Sequence, residues 1–191
     1  MRNPIRLKNL SLRFLPLYGL GLALLIFHAP AWQSVWIGLL PIAAGLALRG
    51  WGAGHLVKND ALTTSGPYAH LRHPLYLGTL LIGTGFGVAI GGGYSLALLA
   101  LLWPWFAFHY FPRKESVESD RLMARYGDRF GRYRQAVPAL VPRLRAWHDE
   151  VEPARPTAWA FERYSENNEL GTLLAAGLGW LAFWLRAGAA A

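Results

Sequence analysis

Two stretches of this chain contain no charged side chain. Residues 14–48 and 73–112 carry no Lys, Arg, Asp or Glu. Ionised groups are costly to place in hydrocarbon, so uncharged runs this long are characteristic of a membrane protein. A water-soluble domain carries about 25% charged residues. This chain carries 16% and is 53% hydrophobic. Backbone polar groups in lipid must be satisfied within the segment, which favours helices. The predicted fold class is therefore an all-α integral membrane protein, a single membrane-embedded domain over residues 1–191. The net charge of +8 does not point to nucleic acid, because the basic residues sit at the ends of the apolar runs. With no Cys, disulfides, thiolate metal sites and a Cys nucleophile are excluded.

Punctuation inside the runs sets the number of spans. "HAPAW" divides the first, giving one helix to about Phe27, a turn at 28–31 and a second helix to about Leu48. "GGGYS" divides the second, giving helices over about Pro74–Ile90 and Tyr94–Phe111. Leu170–Leu185 reads as a fifth apolar helix, with Asn167 or Asn168 as its N-cap. About five transmembrane helices result. Between them lie a polar connector, 49–73, and a polar segment, 112–166, with eleven Lys or Arg and nine Asp or Glu. Within that segment Leu122, Tyr126, Phe130, Tyr133 and Val137 recur at helical spacing. Gly127 and Gly131 are places where this amphipathic helix can break. The positive-inside pattern puts the N-terminus and both polar segments in the cytoplasm and the two tight turns outside, in an inner or plasma membrane.

The densest chemistry is "GPYAHLRHPLYLG", residues 66–78. Pro74 is suited to open a helix, with Arg72 and His73 just before it. A helix N-terminus beside a forked guanidinium makes a site for a carboxylate or phosphate. The same residues also suit a plain cytoplasmic boundary. Glu118, near the end of the fourth span, suits a ligand cation or one of its neighbouring arginines. His55 and Lys58 belong to the connector, where either could face an acidic head group or simply carry loop charge. His28 falls in the outer turn. His109, within about a turn of Pro112, is an intramembrane titratable group.

Taken in order, "RHPLYLG" and then Glu118 followed by "YGDRFGRYRQAVPALVP" resemble the isoprenylcysteine carboxyl methyltransferase family. That group of integral-membrane methyltransferases includes phospholipid methyltransferase-like members. The resemblance covers about residues 49–143 as a methyltransferase-like core, leaving 144–166 as a cytoplasmic loop and 167–187 as a C-terminal helix. It implies S-adenosylmethionine as methyl donor, held on the cytoplasmic side between the hairpin of the third and fourth spans and the polar segment. Carried across residue by residue, it assigns Tyr68, Arg72, His73, Pro74, Tyr76, Gly78, Gly83, Gly85 and Glu118 to cofactor binding. Arg72 and His73 are also the expected catalytic pair. Arg72 would take the donor's carboxylate and Glu118 its ammonium, with Tyr68, Tyr76, Tyr126 and Tyr133 as aromatic walls. A second Glu expected after Glu118 is Ser119 here, which leaves open how the donor's amino group is held or points to a partner acid from elsewhere, with Glu115 and Asp120 near.

The implied acceptor is a lipophilic or amphiphilic molecule, such as an isoprenylcysteine carboxylate or a lipid head group, with membrane lipids as partners. Two other classes compete. Membrane sterol reductases that use NADPH are similar over "YGxxFxxYxxxVPxxxP", but have Asn where this chain has Leu75. A non-catalytic membrane protein is the third class, with Ser119 in its favour. No His, Asp and Glu set shows metal-ligand spacing.

Overall fold

The computed structural model describes residues 28–57, 61–153 and 157–189. The expected first helix and Lys58 lie outside them. The regular elements of the described part are all helical: α1 (Trp32–His55), a 3-10 turn (Gly66–Ala69), α2 (Pro74–Ile90), α3 (Gly92–Trp105), a π turn (Phe106–Tyr110), α4 (Phe111–Ala136), α5 (Phe161–Glu166) and α6 (Glu169–Gly188). Three helical stretches are long and apolar enough to cross a membrane: α1, the continuous helix Gly92–Ala136, and α6. The apolar α2 has 17 residues, about 25 Å at 1.5 Å per residue, the short end of the spanning range. Leu40, Leu96, Leu101, Phe108 and Leu178 are largely exposed on the outer faces of these helices, where lipid rather than water is the natural solvent.

Small residues let α1 and α2 pack backbone against backbone. Gly38 and Gly45 of α1 meet Gly85 and Gly78 of α2. A Cβ added at Gly45 would stand 2.5 Å from the Gly78 carbonyl oxygen, and one at Gly85 2.5 Å from that of Gly38. Close approach of this kind is how apolar helices associate in lipid, where burial of side chains alone gives little preference. α6 closes on α1 through edge-on indole pairs, Trp32 with Trp184 and Trp36 with Trp180.

α1 runs seven residues past the expected end at Leu48, to His55. Arg49 does not end the helix because its charge is paired internally. It donates from Nε and Nη2 to the two Glu169 carboxylate oxygens, at 2.9 and 2.6 Å. Its Nη1 donates to the Leu75 carbonyl at 3.1 Å and to Thr79 Oγ1 at 2.6 Å. The carbonyls at the end of α1 are then covered from the C-terminal segment. Trp159 Nε1 donates to Gly50 O, Arg163 Nε and the Ala160 amide to Gly54 O, and Asn167 Nδ2 to Ala53 O. Gly54 O is one of the carbonyls a helix end leaves without an intrahelical partner, and Gly50 O and Ala53 O gain an additional donor. Asn168 is the N-cap residue of α6 as expected, but in a left-handed conformation (φ 62°) and with no side-chain capping bond.

The fourth span was expected to stop at Phe111. Instead α3 passes through the π turn into α4 without interruption. Pro112 falls just after the π turn, inside this continuous stretch, where its ring removes one backbone donor. α4 kinks at Gly127 (φ 48°, ψ −130°), one of the two glycines the sequence marked. Only a residue without Cβ adopts that conformation cheaply. The chain after α4 then turns back along residues 69–73. The Arg72 and His73 amides donate to Pro138 O and Ala139 O, and the Arg143 and Trp147 amides donate to His70 O and Ala69 O. This strap fixes the backbone that presents Arg72 and His73.

Candidate functional site

A cleft of about 290 Å³ opens between the connector and α4. Tyr68, Arg72 and His73 form one wall. Glu118, Arg121, Leu122, Arg125, Tyr126, Phe130 and Tyr133 form the other, with Leu56, Val57, Leu62 and Thr63 at the side. The α4 wall is the face the sequence marked as amphipathic, since residues three and four apart share one side of a helix. Phe130, Tyr133, Val137 and Leu62 pack into a small buried core at its base. The Tyr133 hydroxyl donates to the Tyr68 carbonyl at 2.8 Å. Burial, together with Tyr133 and Glu118 nearby, pushes the Tyr68 phenol far above its usual range. Tyr68 therefore stays neutral and serves as a wall.

Below the cleft lies a buried polar cluster. Arg72 donates from Nε to Val137 O at 3.0 Å and from Nη1 to Glu115 Oε1 at 2.5 Å. His73 Nε2 lies close against Glu115 Oε2, without the alignment of a hydrogen bond. Its Nδ1 lies 3.7 Å from Glu118 Oε2. The imidazole stacks on Tyr76 at 5.3 Å between ring centroids. The Tyr76 hydroxyl donates to Glu118 Oε2 at 3.2 Å. Glu118 is thus oriented from below while its side chain stays 34% exposed to the cleft.

Of the two acids near Ser119, Glu115 belongs to the buried cluster rather than to the cleft lining. Ser119 is buried and donates to Glu115 Oε1 at 3.3 Å, one helical turn back. Asp120 faces solvent. Glu115 stands four residues before Ser119, which puts both on one face of α4.

The other expected site residues separate into two groups. Tyr68, Arg72, His73 and Glu118 line the cleft, and Tyr76 supports it. Pro74 is buried, and a Cβ on Gly52 of α1 would meet its ring at 3.2 Å. Gly78, Gly83 and Gly85 are not at the cleft. A Cβ at Gly78 would meet Arg49 and Gly45, one at Gly83 would meet Leu102 of α3, and one at Gly85 would meet Gly38 and Ile42. Their positions serve helix packing, because their stretch of α2 runs away from the polar end. Arg72 is on the cleft wall, yet its guanidinium is largely committed to Glu115 and Val137 rather than held out to a ligand. His55 bonds the Thr157 carbonyl and His109 stacks on Trp105, both away from the cleft. His28 is at the outer turn, bonded to Ile90 O at 2.7 Å. Among the described residues no group of three or more His, Cys, Asp or Glu is placed to hold a metal ion.

The donor set suits an elongated molecule carrying both charges and an aromatic ring. Glu118 is an acid open to the cleft, Arg121 is a cation on its rim, and Tyr68, Tyr126, Phe130 and Tyr133 supply flat apolar surface. S-adenosylmethionine has this distribution of groups, so the residues present fit it.

An all-helical integral membrane protein with a polar, aromatic-lined cleft at one end of its apolar helices is the class that fold and site define. Residues 18–129, over half the chain, match the phospholipid methyltransferase family model, and the chain belongs to that family. It is 36% identical over 138 residues to a cobalt-zinc-cadmium resistance protein of Cupriavidus metallidurans, covering 68% of this chain and 62% of that one. It is 27% identical over 137 residues to the protein-S-isoprenylcysteine O-methyltransferase of Schizosaccharomyces pombe, covering 69% and 56%. The human protein-S-isoprenylcysteine O-methyltransferase is 29% identical over 135 residues, covering 61% and 45%. The chain thus spans about half to three-fifths of these relatives. No solved structure gives a significant match.

Proposed function

We propose that this protein transfers a methyl group from S-adenosylmethionine to a lipophilic or amphiphilic acceptor at the cytoplasmic face of the inner or plasma membrane. The observation that carries the proposal is the cleft itself. It places an open acid, a cation and aromatic walls directly beside apolar helices, in a chain of the phospholipid methyltransferase family. When bound, the donor supplies a methyl group on a sulfonium, already activated for displacement.

Methyl transfer to a nucleophile is an in-line displacement. Its barrier falls mainly through positioning and exclusion of water. The chain's own groups suit that work. Glu118, held by Tyr76 and backed by His73, would take the donor's ammonium. Arg72, His73 and Glu115 would keep the floor of the cleft rigid. Tyr68, Tyr126, Phe130 and Tyr133 would exclude water and lie against the cationic centre. An acceptor with an apolar tail would keep that tail among the helices while its head enters the cleft. The isoprenylcysteine carboxylate of the yeast and human relatives' named activity, and a lipid head group, both have that form.

The test uses the full chain in lipid nanodiscs. S-adenosylmethionine, S-adenosylhomocysteine and NADPH are titrated separately by calorimetry. A labelled methyl group is then followed onto a farnesylated cysteine or onto phosphatidylethanolamine. Binding of the adenosyl pair, with label on either acceptor, is the expected result. Binding of NADPH alone, or of none of the three, overturns the proposal.

A further inference from the structure

Arg72 is the arginine that the sequence motif offers for a carboxylate, but the structure has other work for it. Its Nε and Nη1 are bonded to Val137 O and Glu115 Oε1, and its side chain is 11% exposed. Arg49 is likewise committed to Glu169. Arg125 lies over the Tyr126 ring at 5.7 Å. Arg121 differs from all three. It is exposed and lines the cleft. It makes no hydrogen bond or ion pair with a described residue.

Its position is also specific. Arg121 stands three residues after Glu118 on α4, and both face the cleft. Residues so spaced have Cβ atoms about 5–6 Å apart. An α-amino acid carries its ammonium and carboxylate on one carbon, so two neighbouring groups of opposite sign can engage both at once. A guanidinium fork matches a carboxylate in two parallel bonds. Glu118 is already turned to the cleft by Tyr76.

We infer that Arg121 binds the α-carboxylate of the methyl donor, with Glu118 on the adjacent ammonium, and that Arg72 is a positioning residue beneath them. The inference rests on the proposed use of S-adenosylmethionine. It makes one turn of α4 a clasp for the zwitterionic end of the donor. The adenosine then extends along the aromatic face toward Tyr126 and Phe130.

The experiment compares S-adenosylhomocysteine with its decarboxylated analogue, which keeps the amine and lacks the carboxylate. Calorimetry is done on the full chain in nanodiscs. The native chain is expected to prefer the carboxylated ligand by about tenfold to a hundredfold, the range for a charge-assisted bond. Arg121→Ala should bind the two ligands equally, and Arg121→Lys should keep part of the preference. Arg72→Ala should weaken both ligands by the same factor. Arg121 is exposed, so its variants should keep the native elution profile and melting temperature. Full discrimination retained in Arg121→Ala, or lost in Arg72→Ala alone, overturns the inference and leaves the proposed function standing. A native chain that binds neither ligand overturns the proposed function, and the clasp with it.

Discussion

Arg72 donates from Nη1 to Glu115 Oε1 at 2.5 Å, tying the last residues before α2 to the first turns of α4. Both side chains are mostly buried, at 11% and 15% exposure. The same Glu115 faces His73 and accepts from Ser119. One carboxylate therefore meets the Arg and the His of "RHP" and the residue that follows Glu118. Losing one member of a buried pair leaves the other uncompensated, at about 3–5 kcal/mol. Arg72→Ala should lower stability by that order as well as weaken the donor. Thermal unfolding in detergent measures it. Unchanged stability with lost binding would return Arg72 to direct ligand contact.

Glu118 accepts from the Tyr76 hydroxyl, with His73 Nδ1 3.7 Å behind it. Glu118→Gln keeps the shape and removes the charge. It should cost about 1.5–3 kcal/mol of donor binding, one charge-assisted bond. The dissociation constant of S-adenosylhomocysteine, read by calorimetry, checks this. An unchanged constant would move the ammonium contact to another acid.

The Arg49–Glu169 pair joins α1 to α6, and Arg49 also joins α2 through Leu75 and Thr79. Glu169 is 3% exposed. Arg49→Met and Glu169→Gln should each destabilise by about 3–5 kcal/mol, and the double variant by clearly less than their sum. A double-mutant cycle on unfolding midpoints measures the coupling. Additive losses would show that the two residues act separately.

Gly85 and Gly83 separate packing from ligand contact. A Cβ at Gly85 meets backbone of α1, whereas one at Gly83 meets the flexible end of Leu102. Gly85→Ala should destabilise by about 1–3 kcal/mol through overpacking, and Gly83→Ala by less. Donor affinity of the folded protein should be unchanged in both. A selective loss of affinity would put these glycines back beside the ligand.

Beyond α4, Arg132 holds Asp149 with bonds of 3.1 and 3.3 Å, and Asp149 also accepts from the Val151 and Glu152 amides. The Arg132 contact, with these amides against a smaller effect of burial, keeps the carboxyl below its ordinary value of 3.8. A depressed folded pKa stabilises the fold above the unfolded value. That contribution is lost as the pH falls below about 4. Protease cleavage within 143–153 should therefore rise on acidification through that window. Asp149→Asn should cleave readily at neutral pH too. A native cleavage rate that does not change with pH would dismiss the Asp149 clamp.

Much of this was legible in the chain because it is local. Uncharged runs reported apolar helices, and the spacing of Leu122, Tyr126, Phe130 and Tyr133 reported one wall of the cleft. Gly127 reported the kink, because its backbone conformation excludes other residues. Helix ends were less legible. Arg49 looked like the start of a polar connector, since a sequence does not show that Glu169, 120 residues away, will neutralise it. Gly78, Gly83 and Gly85 gave one signal for two uses, as a missing side chain admits a helix as readily as a ligand.

By itself the sequence determined the solvent, the helical class and the order in which the chemical groups arrive. Those follow from hydropathy and periodicity, which are properties of neighbouring residues. Which arginine is free for a ligand was decided by the tertiary structure. Arg72 and Arg121 are the same residue type, each in a polar segment that flanks an apolar run. The first turns of α4 bring Glu115, and the chain just past its end brings the Val137 carbonyl, onto Arg72, while Arg121 is left on the rim of the cleft. A guanidinium's role depends on which acceptors reach it, and long-range packing sets that.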